Sequence, residues 1–452
     1  MAAMLSGLAG HQVHAEGTEP AHRPRALSPE ALRQVALMAL RAERPALARD
    51  AAQALLVRDP QDLRAALILS QAQRDLGAYD AAVRTARQVW RQAEDDGLKM
   101  GAAFAAAQAQ SSAGRRTIAQ FWLRRAVQVA PTPQARAVAI RDFQYVRARN
   151  PWSLTLDVGV TPSSNINGGT DVDKIWVYGL PFTLSGDSRA LSGYETHAAL
   201  SAQRTVAESQ THLYRLGTNL VGKAYRLSSE ARDLAPNAKG SDYAFWASEV
   251  FLNGRIRAGR GADEWDLRFV LGHNDYGGAA LSNYGSLGLG RGFDFGKDRS
   301  LHLGGYIERQ WRLDSDDRSA VLRFANGAWS QKMGPGTASL SLTFGAVDSD
   351  ARDVKHIRKG VTLAYDFQKP ILGAGLGVSL GYERRDYGRV SSLLDEDRTD
   401  ETLALGVEAL LHDRQFMGFA PELDLSYKNT DSNWALGSSN DLSLSLRIKS
   451  AF

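Results

Sequence analysis

The sequence predicts a two-part α plus transmembrane-β architecture: an N-terminal helical array followed by a 14-stranded antiparallel β-barrel. Three observations carry this. The hydrophobic period changes from helical to two at Asn150-Pro151. The alternating segments beyond it run ten residues or more, which matches a tilted membrane crossing better than an ordinary globular strand. The connections between them alternate long and short, as in bacterial barrels.

The helical part spans 28–150. Ser28-Pro29-Glu30 supplies an N-cap serine and a proline at the first helical position. Leu32, Val35 and Leu40 follow helical spacing until Arg44-Pro45 breaks it. Further helices are expected near 45–58, 60–76, 79–94, 98–113, 116–129 and 133–148, separated at Asp59-Pro60, Gly77-Ala78, Asp96-Gly97, Gly114-Arg115 and Pro131. The steps from Pro45 to Ala78 and from Gly77 to Gly114 are 33 and 37 residues, a period resembling tetratricopeptide repeats. Gly77, Tyr79 and Ala82 fit that repeat's turn, although its full consensus is missing. Stacked helix pairs leave a concave face for a partner.

The barrel part spans 151–452. Trp152, Leu154, Leu156, Val158 and Val160 alternate with Ser153, Thr155, Asp157 and Gly159. Leu423, Leu425 and Tyr427 oppose Glu422, Asp424 and Ser426, which puts charge on the face a soluble sandwich would bury. Strands are expected near 152–160, 193–205, 210–223, 242–255, 264–273, 282–292, 299–311, 318–330, 336–348, 358–368, 373–386, 400–412, 418–429 and 439–452. Connections after odd strands read as long, including 274–281 after the fifth. An even strand count then puts both barrel ends, and the helices, on the periplasmic side of an outer membrane. Trp152, Trp176, Trp246, Trp265, Trp311, Trp329 and Trp434 read as interfacial anchors. The last strand carries Leu444, Leu446 and Ile448, with Phe452 on the same parity. A terminal aromatic there resembles the assembly signal of outer-membrane barrels, although Ser450 interrupts the apolar face.

Composition sets the exclusions. With 0 cysteines, disulfide scaffolds, thiolate metal sites and thiol catalysis are out. The net charge of +4 hides an asymmetry: residues 16–150 hold 21 Lys/Arg against 13 Asp/Glu, an excess of 8, so the remainder sits near −4. The arginines recur along helices without a clustered tract or interleaved aromatics, which reads as a solvated face and not as a nucleic-acid surface. Residues 1–15, ending Val13-His14-Ala15, resemble a truncated secretory signal, with 16–27 as a flexible linker. The helices and the barrel are expected to fold separately about Asn150-Pro151.

Just after the first strand comes Pro162-Ser163-Ser164-Asn165-Ile166-Asn167, read from its residues as turn chemistry in a long loop. With Asn150-Pro151-Trp152 before it and this layout around it, the chain resembles the surface lipoprotein assembly modifier (Slam) family. That resemblance spans about 28–452, and the family motif falls on Pro162, Asn165, Ile166 and Asn167. It implies an outer-membrane translocon that delivers a lipoprotein, or a secreted haem- or metal-capturing protein, to the cell surface. It also implies outer-membrane lipids, a client, a periplasmic chaperone and the barrel-assembly machinery as partners, and neither a cofactor nor a catalytic residue. A helical-domain porin exporting polysaccharide and a passive nutrient channel are the alternatives. The Pro-x-x-Asn-Ile-Asn loop favours the translocon, and the modest repeat count disfavours the polysaccharide exporter.

Other motifs point nowhere specific. Gly288-Leu-Gly-Arg-Gly292 lies in a predicted strand with no helix after it, unlike a phosphate loop. Asp314-Ser-Asp-Asp317 and Asp395-Glu-Asp397 lack calcium-loop spacing. His273-Asn274-Asp275 has no serine in an elbow-like context to serve, so no enzyme and no metal are expected.

Overall fold

The computed structural model describes residues 27–177, 180–257, 264–391 and 396–450. The expected signal and most of the linker, Asp395 and the terminal Phe452 lie outside the described residues.

The chain divides into two compact units between Ser112 and Ala113. The first holds α1 (Pro29–Arg41), α2 (Pro45–Arg58), α3 (Leu63–Asp75), α4 (Tyr79–Gln92) and α5 (Asp96–Ser112). Local chemistry sets their starts and stops. The Ser28 hydroxyl accepts from the Ala31 N–H at 3.2 Å and opens α1, and the Asp62 carboxylate accepts from the Ala65 N–H at 2.9 Å and opens α3. Gly77, with φ of 78°, lets the chain turn left-handed after α3, where a Cβ would be strained. The core is largely alanine: Ala36, Ala52, Ala65, Ala102 and Ala106 are fully buried. Small side chains let helices approach closely, and the buried Ser70 hydroxyl donates to the Ala82 carbonyl at 2.8 Å to tie α3 to α4.

The second unit contains α6 (Arg116–Gln128), α7 (Pro133–Ala148) and the barrel. The division therefore lies two helices before Asn150-Pro151, where the sequence places it. The physical reason is a set of contacts between α6 and a barrel turn, described below.

The barrel is closed and made of fourteen antiparallel strands. They are β1 (Trp152–Ser163), β4 (Gly193–Glu208), β5 (His212–Leu227), β6 (Phe245–Arg257), β7 (Glu264–Tyr276), β8 (Ala279–Asp294) and β9 (Arg299–Arg312). Then follow β10 (Ala320–Met333), β11 (Gly336–Ser349), β12 (His356–Phe367), β13 (Ala374–Tyr387), β14 (Thr399–Leu411), β15 (Phe419–Ser432) and β16 (Ser439–Ser450). A small hairpin, β2 (Lys174–Val177) with β3 (Leu180–Thr183), projects within the first long loop. Each barrel strand pairs with its sequence neighbour, and β16 returns to β1.

Alternation sorts the two walls. Leu154, Leu156, Leu403, Leu405, Leu423, Leu425, Leu444 and Leu446 face outward and are open to the bilayer. Inward positions carry ion pairs instead: Arg358–Glu383 at 2.5 Å, Arg447–Asp424 at 2.6 Å and Lys449–Glu422 at 2.6 Å. Glu195 accepts from the Tyr225 hydroxyl at 2.8 Å beside Lys223. An apolar outer wall around a polar lumen, with every strand paired on both sides, makes this an outer-membrane β-barrel.

Trp152, Trp265 and Trp329 mark one rim of the apolar wall, and Trp246 and Trp311 mark the other. Trp176 and Trp434 depart from expectation: the first lies on the loop hairpin and the second in the last loop. The connection after β7 also departs. It is a two-residue turn, Gly277-Gly278, with φ of 59° and 82°, because two consecutive glycines adopt the left-handed pair that closes a tight hairpin. Gly288 to Gly292 lie within β8, as strand residues. His273 faces the outer wall beside Asn283, away from the lumen.

Candidate functional site

The segment Pro162 to Asn167 forms a knot at the long-loop end. Pro162 and Ser163 close β1, opposite Tyr194 and Gly193. The Asn165 side chain donates to the Gly169 carbonyl at 2.8 Å and accepts from the Gly169 N–H at 2.9 Å. Asn167 donates to the carbonyls of Arg189 at 2.8 Å and Asp187 at 3.1 Å, and accepts from the Leu191 N–H at 2.9 Å. Two amides thus fasten both arms of the loop 164–192. Gly169 must be glycine here, since a Cβ would sit 2.3 Å from the Arg189 carbonyl oxygen. Ile166 donates its N–H to the Leu191 carbonyl at 2.8 Å and packs against the small buried core of Leu191, Leu227, Ala231 and Ala235. Ala231 belongs to α8 (Ser229–Leu234), so the first and second long loops share one cap.

The knot reaches the last loop as well. Ser163 donates to Asp441 at 2.7 Å, and Thr170 donates to the Ala435 carbonyl at 2.7 Å. The motif, read from sequence as turn chemistry, therefore ties the first loop to the strand and loop that close the barrel.

At the short-turn end, Arg124 of α6 performs a comparable task. Its guanidinium lies over the rings of Phe143 at 4.6 Å and Phe419 at 4.2 Å. One terminal nitrogen donates to the carbonyls of Met417 and Gly418, both at 3.1 Å, and the other donates to the Ser450 hydroxyl at 2.8 Å. Gln128 accepts from the Met417 N–H at 2.6 Å. Met417 and Gly418 have φ of 51° and 73°, a left-handed pair in which the first position ordinarily favours asparagine. Burial, then the like charge of Arg147, lowers the Arg124 pKa to about 10, so it stays cationic at neutral pH. Asn150 completes this end by donating to Thr117 at 2.9 Å and accepting from the Trp152 N–H at 3.2 Å.

Arg124 and Gln128 hold the barrel turn at Met417 and Gly418, and sequence reading missed them. One signal was present: Ser450, polar on an otherwise apolar parity, is an acceptor for Arg124. Leu444, Leu446 and Ile448 lie on the outer wall of β16 as expected, each about half exposed.

Between these two ends lies the β1–β16 seam. Among the described residues, the strands share register at three positions: Gly159 with Arg447, Val160 with Leu446, and Ser163 with Ser443. Every other barrel seam pairs at eleven or more positions, while the residues opposite Leu154 and Thr155 lie outside the described ones. Hydroxyls supplement the short ladder, with Thr161 donating to Ser445 at 3.0 Å and the Leu442 N–H donating to Ser164 at 2.9 Å. No group of His, Asp or Glu able to hold a metal ion occurs among the described residues.

No curated protein matches the chain. Among solved structures, a loop-deletion mutant of the Vibrio cholerae outer membrane protein OmpT is similar at 10% identity over 66% of this chain and 99% of that chain, with a TM-score of 0.35. Acinetobacter baumannii OccAB3 matches at 10% identity over 65% and 98%, with a TM-score of 0.38. A BenF-like porin from Pseudomonas fluorescens Pf-5 matches at 9% over 66% and 98%, with a TM-score of 0.36. Residues 330–452 match the family described as surface lipoprotein assembly modifier, a segment that takes in β11 to β16 and so includes the strand that closes the barrel.

Proposed function

We propose that the chain is an outer-membrane translocon that delivers a specific lipoprotein, or a secreted haem- or metal-capturing protein, to the cell surface. The match of residues 330–452 to the surface lipoprotein assembly modifier family carries the reading. The polar inner wall supports it, since a polypeptide crossing the bilayer must keep its backbone groups solvated or paired. The helical array, in the manner of tetratricopeptide repeats, holds a client or chaperone on the periplasmic side. The barrel-assembly machinery inserts the barrel. No step in this function needs a nucleophile or cofactor.

The test is the surface exposure of a client encoded beside this chain, in cells with and without it. The reading predicts that exposure is lost without the chain and restored by supplying it. Equal exposure in both would overturn the translocon and leave a solute or polysaccharide channel.

A further inference from the structure

We infer that the outer wall over β9 to β13 binds a doubly phosphorylated glycolipid of the outer leaflet, through Arg309, Arg323, Lys359 and Arg384. The inference rests on the barrel and its membrane, and it stands or falls independently of the proposed translocation.

Parity places the four cations. Residues paired across neighbouring antiparallel strands point to the same face. Arg323 pairs with Ile307, and Lys359 pairs with Phe344, both on the apolar outer wall. Arg309 shares the parity of Ile307, and Arg384 is directly opposite Lys359, so all four face lipid. Each is the second outward residue from the long-loop end of its strand. Long loops of bacterial barrels face the exterior, so this level meets the outer leaflet. Among the described residues no other Lys or Arg stands there: Val160, Thr196, Ala224, Glu401 and Leu442 hold the level on β1, β4, β5, β14 and β16. The cations are confined to one sector.

A charge on the lipid face is costly, the more so with depth. Most charges of this sector are matched. Asp348 pairs with Lys355 at 2.8 Å. Asp386 accepts from Lys359 at 3.3 Å and from Arg384 at 2.7 Å, and Glu401 accepts from Arg384 at 3.0 Å. Arg309 and Arg323 differ. Both are exposed, and no carboxylate of the described residues lies within ion-pair reach of either. Trp311 follows Arg309 on the same parity and marks the rim, so Arg309 sits roughly 6–7 Å inside it along the strand. At headgroup depth the abundant anion is lipid phosphate.

The spacing selects the headgroup. Arg309 and Arg323 are diagonal neighbours and form one cationic point, where each guanidinium can fork onto phosphate oxygens. Lys359 and Arg384 form a second, with Asp386 between them. Arg323 on β10 and Lys359 on β12 stand two strand spacings apart, about 10 Å. Two such points suit a headgroup with a phosphate at each end better than a single phosphodiester. Phe344 and Ile357 lie between them, exposed, as apolar surface for acyl chains. Beyond Arg384 the sign reverses, since Glu401 and Asp431 are opposed on β14 and β15 and bound the site.

The test places the full chain in phosphatidylcholine nanodiscs and titrates it with fluorescent lipid A, a doubly phosphorylated disaccharide lipid. The unaltered chain should bind lipid A about tenfold more tightly than Arg309→Gln with Arg323→Gln. Arg309→Lys with Arg323→Lys keeps the charge without the fork and should fall between. Arg204→Gln with Arg291→Gln removes two cations from the same face at the opposite rim, across from Trp152 and Trp265, and should bind as the unaltered chain does. Phosphatidylglycerol, with one phosphate, should bind the unaltered chain several-fold more weakly than lipid A, and inorganic phosphate should not displace the lipid. Heat-modifiable gel mobility shows which variants form barrels, and the lipid comparison on the unaltered chain needs none of them. Equal lipid A affinity in the unaltered chain and the glutamine pair overturns the site. Phosphatidylglycerol binding as tightly as lipid A overturns it too, since that is the attraction any anionic lipid would feel.

Discussion

The strand β16 has two neighbours and treats them differently. With β15 it shares register from Phe419/Ser450 to Thr430/Ser439, and with β1 at three positions among the described residues. Its own sequence is the same on both sides, with the same alternation of leucine and serine, so strand propensity cannot explain the contrast. The difference lies in what surrounds each seam. β15 and β16 are consecutive and joined by the last loop, 433–438, whereas β1 and β16 are brought together only by closure. Where the ladder is short, side chains supplement it: Ser163 reaches Asp441 and Ser164 accepts from the Leu442 N–H at one end, and Arg124 reaches Ser450 at the other.

The largest expected effect breaks the comparison at the α6 end. Arg124→Ala removes three charge-assisted hydrogen bonds and two ring contacts, leaving carbonyls of a left-handed turn without their donor. Set against relief of the buried charge, the loss should be roughly 2–4 kcal/mol. It should appear as a lower temperature at which the detergent-extracted barrel converts from its compact to its unfolded gel mobility. Arg124→Lys should recover less than half, since an ammonium cannot fork between two carbonyls and a hydroxyl while stacking on rings.

Next comes the loop end. Asn167→Ala strands the Leu191 N–H and the Arg189 carbonyl, at about 1–3 kcal/mol. Amide exchange should quicken through 164–192 while β11 to β14 stay protected. If exchange quickens evenly around the barrel, the loop knot is not a local device.

A smaller effect in the first unit serves as the control. Asp62→Ala removes an N-cap and a 2.7 Å ion pair with Arg33, at about 1 kcal/mol, and should leave barrel gel mobility unchanged. Burial opposes ionisation of Asp62, but the Ala65 N–H and Arg33 outweigh it and hold the carboxyl below its ordinary 3.8. A depressed carboxyl stabilises the fold above its unfolded value and loses that contribution as the proton goes on. The α3 helix should therefore weaken as pH falls through and below 3.8, and Asp62→Ala should flatten that acid limb in circular dichroism of the helical unit.

The smallest effect compares two turns. Leu372-Gly373 adopts the same left-handed pair as Met417-Gly418, with φ of 52° and 80°, and Leu372 is fully exposed. Leu372→Asn should stabilise by about 0.5–1 kcal/mol, because asparagine tolerates that conformation. Met417→Asn should gain less, since Gln128 and Arg124 already hold that backbone.

Much of this fold is legible in the sequence, for local reasons. The helices Pro45–Arg58 and Pro133–Ala148 begin on prolines that mark a first turn, and their predicted bounds coincide with the observed ones. Strands such as Gly336–Ser349 follow from alternation that lipid on one side and water on the other enforce. The small hairpin β2–β3 and the Gly277-Gly278 turn were not legible, because both lie where a loop was the expectation. The candidate site was half legible. Asn165 and Asn167 announce turn chemistry, but which carbonyls they reach depends on the second arm of the loop. Arg124 shares its helix with Arg116 and Arg125, and apart from the polar Ser450 far along the chain nothing in sequence separates it from them. Its partners, Met417, Gly418 and Ser450, lie some three hundred residues away.

The most direct measurement is hydrogen exchange of the full chain in lipid nanodiscs, resolved to single strands. The account predicts that amides of β1 between Leu156 and Val160 that point toward β16 exchange about ten times faster than amides in the middle of β15, and that Arg124→Ala widens this gap. Uniform protection of β1, β15 and β16, unchanged by Arg124→Ala, would contradict it.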